Sequence, residues 1–122
     1  MHLPHVPRRA WLPLLLFALF NLGATWCFKQ GGTDPAHRLA CFIGGNALGV
    51  TSTWFMMQLC RCLNVNIAMV LSGSLAFISV QALFWWLYRP AMQPAQWLGV
   101  AVILVGTLLA AWHPVPATEE RP

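Results

Sequence analysis

Charged side chains are scarce in this chain of 122 residues: Asp, Glu, Lys and Arg together make up 8% of it, and only three residues are acidic. Hydrophobic residues make up 58%, and seven residues are Trp. A soluble globule of this length could not bury so much apolar surface, so the composition predicts a membrane protein. The seven Lys and Arg residues are scattered and form no basic run, which argues against a nucleic-acid partner.

Patterns that carry catalysis or bind metals are also missing from the sequence. It contains no Gly-rich phosphate loop, no pair of carboxylates within reach and no nucleophile beside a plausible base. Cys60 and Cys62 lack the second pair of ligands that a zinc site requires. We therefore expect no enzyme activity, no metal and no cofactor. We interpret the four cysteines as free, mostly buried thiols: Cys27, Cys41, Cys60 and Cys62.

Long apolar runs predict four membrane-spanning helices, over about residues 11–28, 39–60, 67–88 and 95–112. Short links join the runs, so the predicted fold is an all-α, up-down bundle of transmembrane helices with both termini on the same side. Residues 1–10 are expected to form an N-terminal tail, and residues 113–122 a disordered C-terminal tail. Cleavage of the first run as a signal peptide is the alternative, but Gly23 and Ala24 precede Thr, Trp and Cys, which make a poor cleavage site.

Glycine, proline and serine mark the expected breaks between and within these helices. The link 29–38 holds two glycines and an Asp-Pro pair, which is typical of a water-exposed turn. The last two spans form a hairpin, in which Pro90 is expected to end one helix and Pro94 to begin the next. Ser72-Gly73-Ser74 interrupts the third span, where a missing side chain and two hydroxyls favour a loosened or bent helix.

Small residues in the fourth span indicate a contact between two chains. Gly99 and Gly106 stand seven residues apart and share one helical stripe with Ile103 and Ala110. Because glycine lets another backbone approach closely, this stripe is the predicted dimer contact. In the second span, the small residues of the Gly45-x3-Gly49-x3-Thr53 pattern form a similar ridge for helix packing.

The charges at the two ends of the predicted bundle are nearly balanced. Arg8, Arg9, Arg61 and Arg121 lie on one face, and Lys29, Arg38 and Arg89 on the other. An excess of one positive residue scarcely sets the topology, so insertion in both directions and an antiparallel pair are possible. The alternative is a fixed topology set by the Arg8-Arg9 pair.

No Asp, Glu, Lys, Arg or His lies within the predicted spans, which excludes the usual side chains of a proton relay. Amides and hydroxyls remain, and in lipid such groups turn inward to find partners. Each of them alone is explained by contacts between helices, whereas together they indicate a polar, uncharged cavity. We assign its lining to Asn21, Thr25, Trp54, Gln58 and Ser72. The other Trp residues near span ends fit an interfacial belt: Trp11, Trp85, Trp86, Trp97 and Trp112.

The order of these motifs resembles a known transporter family. The segment from Asn21 to Lys29 (NLGATWCFK), Trp54-x3-Gln58, Ser72-Gly73 and Gly99-x6-Gly106 follow one another as in the small multidrug resistance proteins, over roughly residues 12–112. A closer likeness is to the four-span subunits of the aminoarabinose-phosphoundecaprenol flippase. They share the Cys27-x-Lys29-Gln30 ending of the first span and the pattern from Arg89-Pro90 to Gly99-Val100. Both groups belong to the drug/metabolite transporter superfamily, which also includes the EamA-type permeases.

The resemblance implies a small multi-pass transporter subunit of the cell membrane, acting as a homodimer or with a similar four-span partner on an amphiphilic or lipid-linked solute. Asn21 stands where the multidrug pumps carry an essential glutamate, and an amide cannot exchange a proton for a cation. Arg89 replaces the acidic residue that usually opens the last link of flippase-like members. Two alternatives follow: a non-transporting accessory subunit, or a degenerate quaternary-ammonium exporter.

Overall fold

The structure, a computed structural model, describes residues 7–112 and the side chains of residues 7–109. Over this range it is all-helical and contains no strand, which confirms the all-α part of the predicted fold class. Its four α-helices are α1 (Arg8–Thr33), α2 (Arg38–Cys62), α3 (Val65–Tyr88) and α4 (Pro94–Trp112), with a 3₁₀ turn at Pro35–His37 between α1 and α2. The predicted tail 113–122 and most of the predicted tail 1–10 lie outside the described residues, whereas Arg8 to Ala10 already belong to α1.

Three of the helices within residues 7–112 are long and apolar enough to cross a membrane: α1, α2 with its preceding turn, and α3. These helices support the membrane assignment. The fourth helix has 19 residues and a length of about 28 Å, and its described apolar part, Pro94–Leu109, is shorter than the other three. Membrane insertion of α4 stays a prediction.

The first link is shorter than the sequence predicts. Residues 29–38 were expected to form a turn, but α1 continues to Thr33 and α2 begins at Arg38. The two helices remain closely packed near the turn, since a Cβ atom built on Gly31 would lie 2.9 Å from Cys41 Cβ. Glycine therefore lets the two helices stay in contact almost to the turn itself. The Asp34 carboxylate then accepts a 2.9 Å hydrogen bond from the Ala36 N–H and closes the chain reversal.

The predicted interruption of the third span is wrong, because α3 is an unbroken helix through Ser72-Gly73-Ser74. The Ser72 hydroxyl donates back to the Met69 carbonyl at 3.3 Å, which keeps it within the helix. The Ser74 and Thr107 hydroxyls meet at 2.5 Å and join α3 to α4. Both serines therefore have partners that leave the backbone hydrogen bonds of α3 intact.

The link between α3 and α4 contains two prolines, and the second of them begins a helix as predicted. Pro94 is the first residue of α4, where a missing N–H costs nothing. At the other end Arg89 adopts the left-handed conformation, with φ of 40°, and its N–H donates to the Trp85 carbonyl at 3.0 Å. Glycine is the usual residue in this helix-ending position, so Arg89 carries some backbone strain. The helix ends at this left-handed residue, immediately before Pro90.

Neighbouring helices pack antiparallel. Phe20 of α1 contacts Phe55 of α2, with ring centroids 5.4 Å apart, and the Phe28 ring occupies the space beside Gly45, 2.6 Å from a Cβ built there. A small core forms where α1 begins, α2 ends and α3 begins, from Ala10, Leu14, Leu59 and Ala68. Among the described residues α4 packs against α3 alone. Most large apolar side chains point outward, as expected of helices that lie in lipid.

The cysteines are free, as predicted, but they are not mostly buried. Cys27, Cys41 and Cys60 are half-buried, and Cys62 is exposed. Cys62 is the last residue of α2 and borders an open cleft beside the start of α1.

Candidate functional site

Two of the predicted cavity residues, Asn21 and Thr25, lie together on α1. Both are half-buried. The Thr25 hydroxyl donates to the Asn21 carbonyl oxygen at 2.9 Å, so one hydroxyl of the predicted lining is bonded within its own helix. The Asn21 side-chain amide has no hydrogen-bond partner among residues 7–112 and stays available to a ligand or a second chain.

Ser72 has a different environment, because it is only 2% exposed within the contact between α2 and α3. Its hydroxyl lies 3.2 Å from Met56 Sδ and 3.3 Å from the Met69 carbonyl. These two contacts satisfy the Ser72 hydroxyl and place it in the packing between α2 and α3.

Trp54 and Gln58 stand one turn apart on α2. Trp54 is 60% exposed, while Gln58 lines a cleft of about 260 Å³ that Arg9, Phe55 and Cys62 also border. Within one chain, therefore, the five predicted residues do not converge on a central cavity. The polar cavity stays a prediction, and it would have to form between chains.

The two glycines of the predicted dimer contact have free space beside them in this chain. A Cβ atom built on Gly99 or on Gly106 would meet nothing within 4 Å in this chain. Their neighbours on α4 are exposed as well, including Leu98, Val102 and Val105. Gly106 therefore has room for another helix or for lipid, whereas Gly99 also borders a cleft between α1, α3 and α4.

The structure brings together a cluster around Lys29 that the sequence analysis did not single out. The Lys29 ammonium group lies 3.0 Å from the centroid of the Tyr88 ring and 5.0 Å from that of Phe84, which is a cation–π arrangement. The two rings stand one turn apart on α3, 5.8 Å between centroids. Their i, i+4 spacing was visible in the sequence, but its meeting with Lys29 depends on the packing of α1 against α3.

Two open clefts flank this cluster. The first, the Lys29 cleft, has a volume of about 560 Å³ and is lined by α1, α3 and α4, with Lys29, Gln81 and Gln96 as its polar side chains. The second, the leucine cleft, has about 540 Å³ and lies between α1 and α3, with Leu19, Leu22, Leu83 and Leu87 in its walls. Tyr88 borders both clefts, so they adjoin at this residue.

Within residues 7–112, carboxylates are too few to neutralise the cations. Asp34 is the only acidic residue within 7–112. Its carboxylate lies 2.7 Å from His37 Nδ1. No Lys or Arg side chain forms an ion pair with another residue of the described range. The hydrogen bond from His37, helped by the one from the Ala36 N–H, lowers the pKa of Asp34 from its ordinary value. Asp34 is therefore an ionised partner of His37 in the turn.

The described residues contain no cluster of His, Cys, Asp or Glu that could hold a metal ion. Comparisons with family models, with curated proteins and with solved structures give no match. The fold and composition define the class as an all-helical membrane protein.

Proposed function

We propose that the protein is a small integral membrane transporter subunit of the drug/metabolite transporter superfamily, similar to the small multidrug resistance and EamA-type proteins. It would cross the cell membrane four times, with both termini on one side. It moves an amphiphilic or lipid-linked solute. The support for this family is the order of motifs from Asn21 to Gly106.

The observation that carries the proposal is that α4 has few packing partners within a single chain. This helix contacts only α3 among the described residues, and most of its large apolar side chains from Trp97 to Leu109 are exposed. Gly99 and Gly106 leave open space on its surface. A second copy, or a similar four-span partner, packed there would give the close helix contact that small residues permit.

Dimer formation also gives the uncharged lining a role. Asn21 has an unpartnered amide, Trp54 is exposed, and Gln58 borders a cleft that opens outward. Two chains facing each other would enclose such groups in a shared path, and rocking of one chain against the other would alternate access to it. Ser72 would support that path through packing on Met56 and not by contact with solute.

The test is movement of a fluorescent phospholipid with an NBD-labelled chain in liposomes that contain the purified protein. A transporter makes inner-leaflet probe accessible to a membrane-impermeant quencher faster than protein-free liposomes do. The Gly99→Leu/Gly106→Leu variant should lose this activity, whereas Gly44→Leu, which changes an open glycine of α2, should keep it. A folded wild-type dimer that moves no lipid would instead favour a non-transporting accessory subunit.

The quaternary-ammonium exporter is tested in the same liposomes with a pH gradient. No acidic residue lies in α1, α2, α3 or α4, so we expect no coupled uptake of tetraphenylphosphonium or of a quaternary ammonium ion. Robust coupling would favour the multidrug function over the neutral path.

A further inference from the structure

Three exposed arginines lie at the end of the molecule where α1 begins and α2 ends. Arg8 and Arg9 are the first two residues of α1, and Arg61 lies in the last turn of α2. The small core described above packs these two helix ends together with the start of α3. Arg9 also borders the same cleft as Cys62, the neighbour of Arg61. The three arginines therefore form one positive surface, which we call the arginine end.

The arginine end has no negative counterpart among the described residues. Asp34, the one acidic residue within 7–112, lies in the turn at the opposite end and contacts His37. Twenty-five residues along α1 separate Asp34 from Arg9, a rise of about 37 Å. At physiological ionic strength charges are screened beyond about 8 Å, so Asp34 cannot compensate the arginines. The other two acidic residues of the sequence are Glu119 and Glu120, which follow α4.

The packing of α4 on α3 brings the end of α4 to the level of the arginine end. The two helices are antiparallel, and the hydroxyls of Ser74 and Thr107 meet across their contact. Five residues after Thr107, α4 ends at Trp112, so its end lies opposite about Met69 of α3. Met69 is about one turn from Val65, where α3 begins beside the first turn of α1 and the last turn of α2.

The chain beyond α4 is long enough to cross to the arginines. Six residues, 113–118, separate Trp112 from Glu119, and an extended chain of this length spans about 23–25 Å. Packed helices lie about 8–10 Å apart, so about 16–20 Å separates α4 from α1 across the intervening α3. The helix α3 contacts both α1 and α2. Glu119 and Glu120 can therefore reach the arginine end without any movement of the helices.

We infer that the arginine end binds the acidic segment Glu119-Glu120 of its own chain. The guanidinium N–H groups donate to the carboxylate oxygens, a pairing in which both groups are charged and their geometries match. Each exposed ion pair is weak, but the short tether holds the segment at an effective concentration of about a millimolar. The contact ties the end of α4, which packs on α3 alone among the described residues, to α1 and α2. It is independent of any transport activity.

The test is the rate at which a disulfide forms between Cys62 and a cysteine placed beside the acidic pair by Thr118→Cys. Cys62 is exposed and adjoins Arg61, so it reports on the arginine end. The full-length protein is placed in nanodiscs of phosphatidylcholine and oxidised with copper phenanthroline. The internal disulfide is measured at monomer mass on a non-reducing gel. The three other cysteines are replaced by alanine so that Cys62 is the one native thiol: Cys27→Ala, Cys41→Ala and Cys60→Ala.

Changes in the charge of the segment should change this rate with a definite sign. Glu119→Gln with Glu120→Gln should slow disulfide formation about threefold or more, since two ion pairs are lost. Arg121→Gln is the matched control in the same segment, because it removes a positive charge and should keep or raise the rate. In about 1 M NaCl the screening length falls to about 3 Å, so the unsubstituted segment should react as slowly as the double Gln variant.

Changes in the arginines test the other partner. Arg8→Gln with Arg9→Gln should slow the reaction as the loss of the two glutamates does. Arg38→Gln is the matched control, because Arg38 is also exposed but begins α2 at the opposite end of the molecule, so its rate should equal that of the unsubstituted protein. All of these side chains are exposed or lie beyond α4, and circular dichroism should show unchanged helix content.

Three results overturn the inference. Rates that ignore both the glutamate and the arginine substitutions would show that charge does not hold the segment there. A disulfide found mainly at dimer mass would mean that the segment binds a neighbouring copy and not its own chain. Nanodiscs that contain phosphatidylglycerol separate the segment from lipid headgroups as the occupant. If the effect of the glutamates disappears in them, anionic lipid holds the arginines and the acidic segment does not.

Discussion

Gly31 offers a direct test of how closely α1 and α2 must approach at the turn. A Cβ atom built on it would lie 2.9 Å from Cys41 Cβ and 3.4 Å from the Arg38 carbonyl oxygen. Both neighbours are at or next to the backbone of α2, so no side-chain rotation can relieve the clash. Gly31→Ala must therefore push the two helices apart or shift the turn.

The magnitude follows from two opposing effects. Overpacking of a close contact costs about 1–3 kcal/mol, while replacing glycine by alanine in a helix gains up to about 1 kcal/mol. We expect a net loss of about 0–3 kcal/mol in the unfolding free energy for Gly31→Ala. Gly32 is the matched control, since it occupies the same last turn of α1 and nothing lies within 4 Å of a Cβ there. Gly32→Ala should be neutral or stabilising, by at most about 1 kcal/mol.

The assay is unfolding of the purified protein by SDS in mixed micelles, followed by circular dichroism. The unfolding free energies of the two alanine variants should differ by about 1–3 kcal/mol. The gain in helix propensity is common to both variants, so it drops out of this comparison. Cys41→Gly in the Gly31→Ala background should recover part of the loss, because it removes the nearest clashing atom. Equal stability of the Gly31→Ala and Gly32→Ala variants would refute the close contact.

Three other predictions concern the dimer, the turn and the proposed path. Gly99→Leu with Gly106→Leu should lower the yield of crosslinked dimer in native membranes several-fold, and an unchanged yield would contradict a contact through α4. Replacing His37 with alanine should raise the pKa of Asp34, measured by NMR titration, since the largest cause of its lowering is removed. In the wild type the pair stabilises the turn above the ordinary pKa of Asp34, and this contribution is lost as pH falls through the lowered pKa; a pKa unaltered in the variant would contradict this. Asn21→Leu should abolish solute movement in liposomes while the folded dimer survives, whereas loss of the dimer or of thermal stability would indicate a packing role.

The sequence by itself determined the class of fold. Runs of apolar residues without charge predict long helices, because a chain with so few charged groups must satisfy its backbone hydrogen bonds in lipid. Pro94 predicted the start of α4, since the fixed φ and missing N–H of proline suit the first helical position. These are local properties, and no knowledge of packing is needed to infer them.

Only the tertiary structure decided the length of the first link and the unbroken course of α3. Gly31 lets the last turn of α1, which ends at Thr33, stay in contact with α2, because Cys41 of the facing helix leaves room for no side chain there. Ser74 is compatible with a continuous α3 because its hydroxyl finds Thr107 across the helix contact. In both cases the decisive atom belongs to another helix.

The tertiary structure also decided which polar residues share a site. Asn21, Trp54 and Ser72 were grouped by chemistry, yet the chain places them on an α1 face, an exposed α2 face and a buried α2–α3 contact. Lys29 instead meets Phe84 and Tyr88, which lie more than fifty residues later in the chain. Side-chain type sets what a residue can bind, but the packing of α1 on α3 sets which residues bind together.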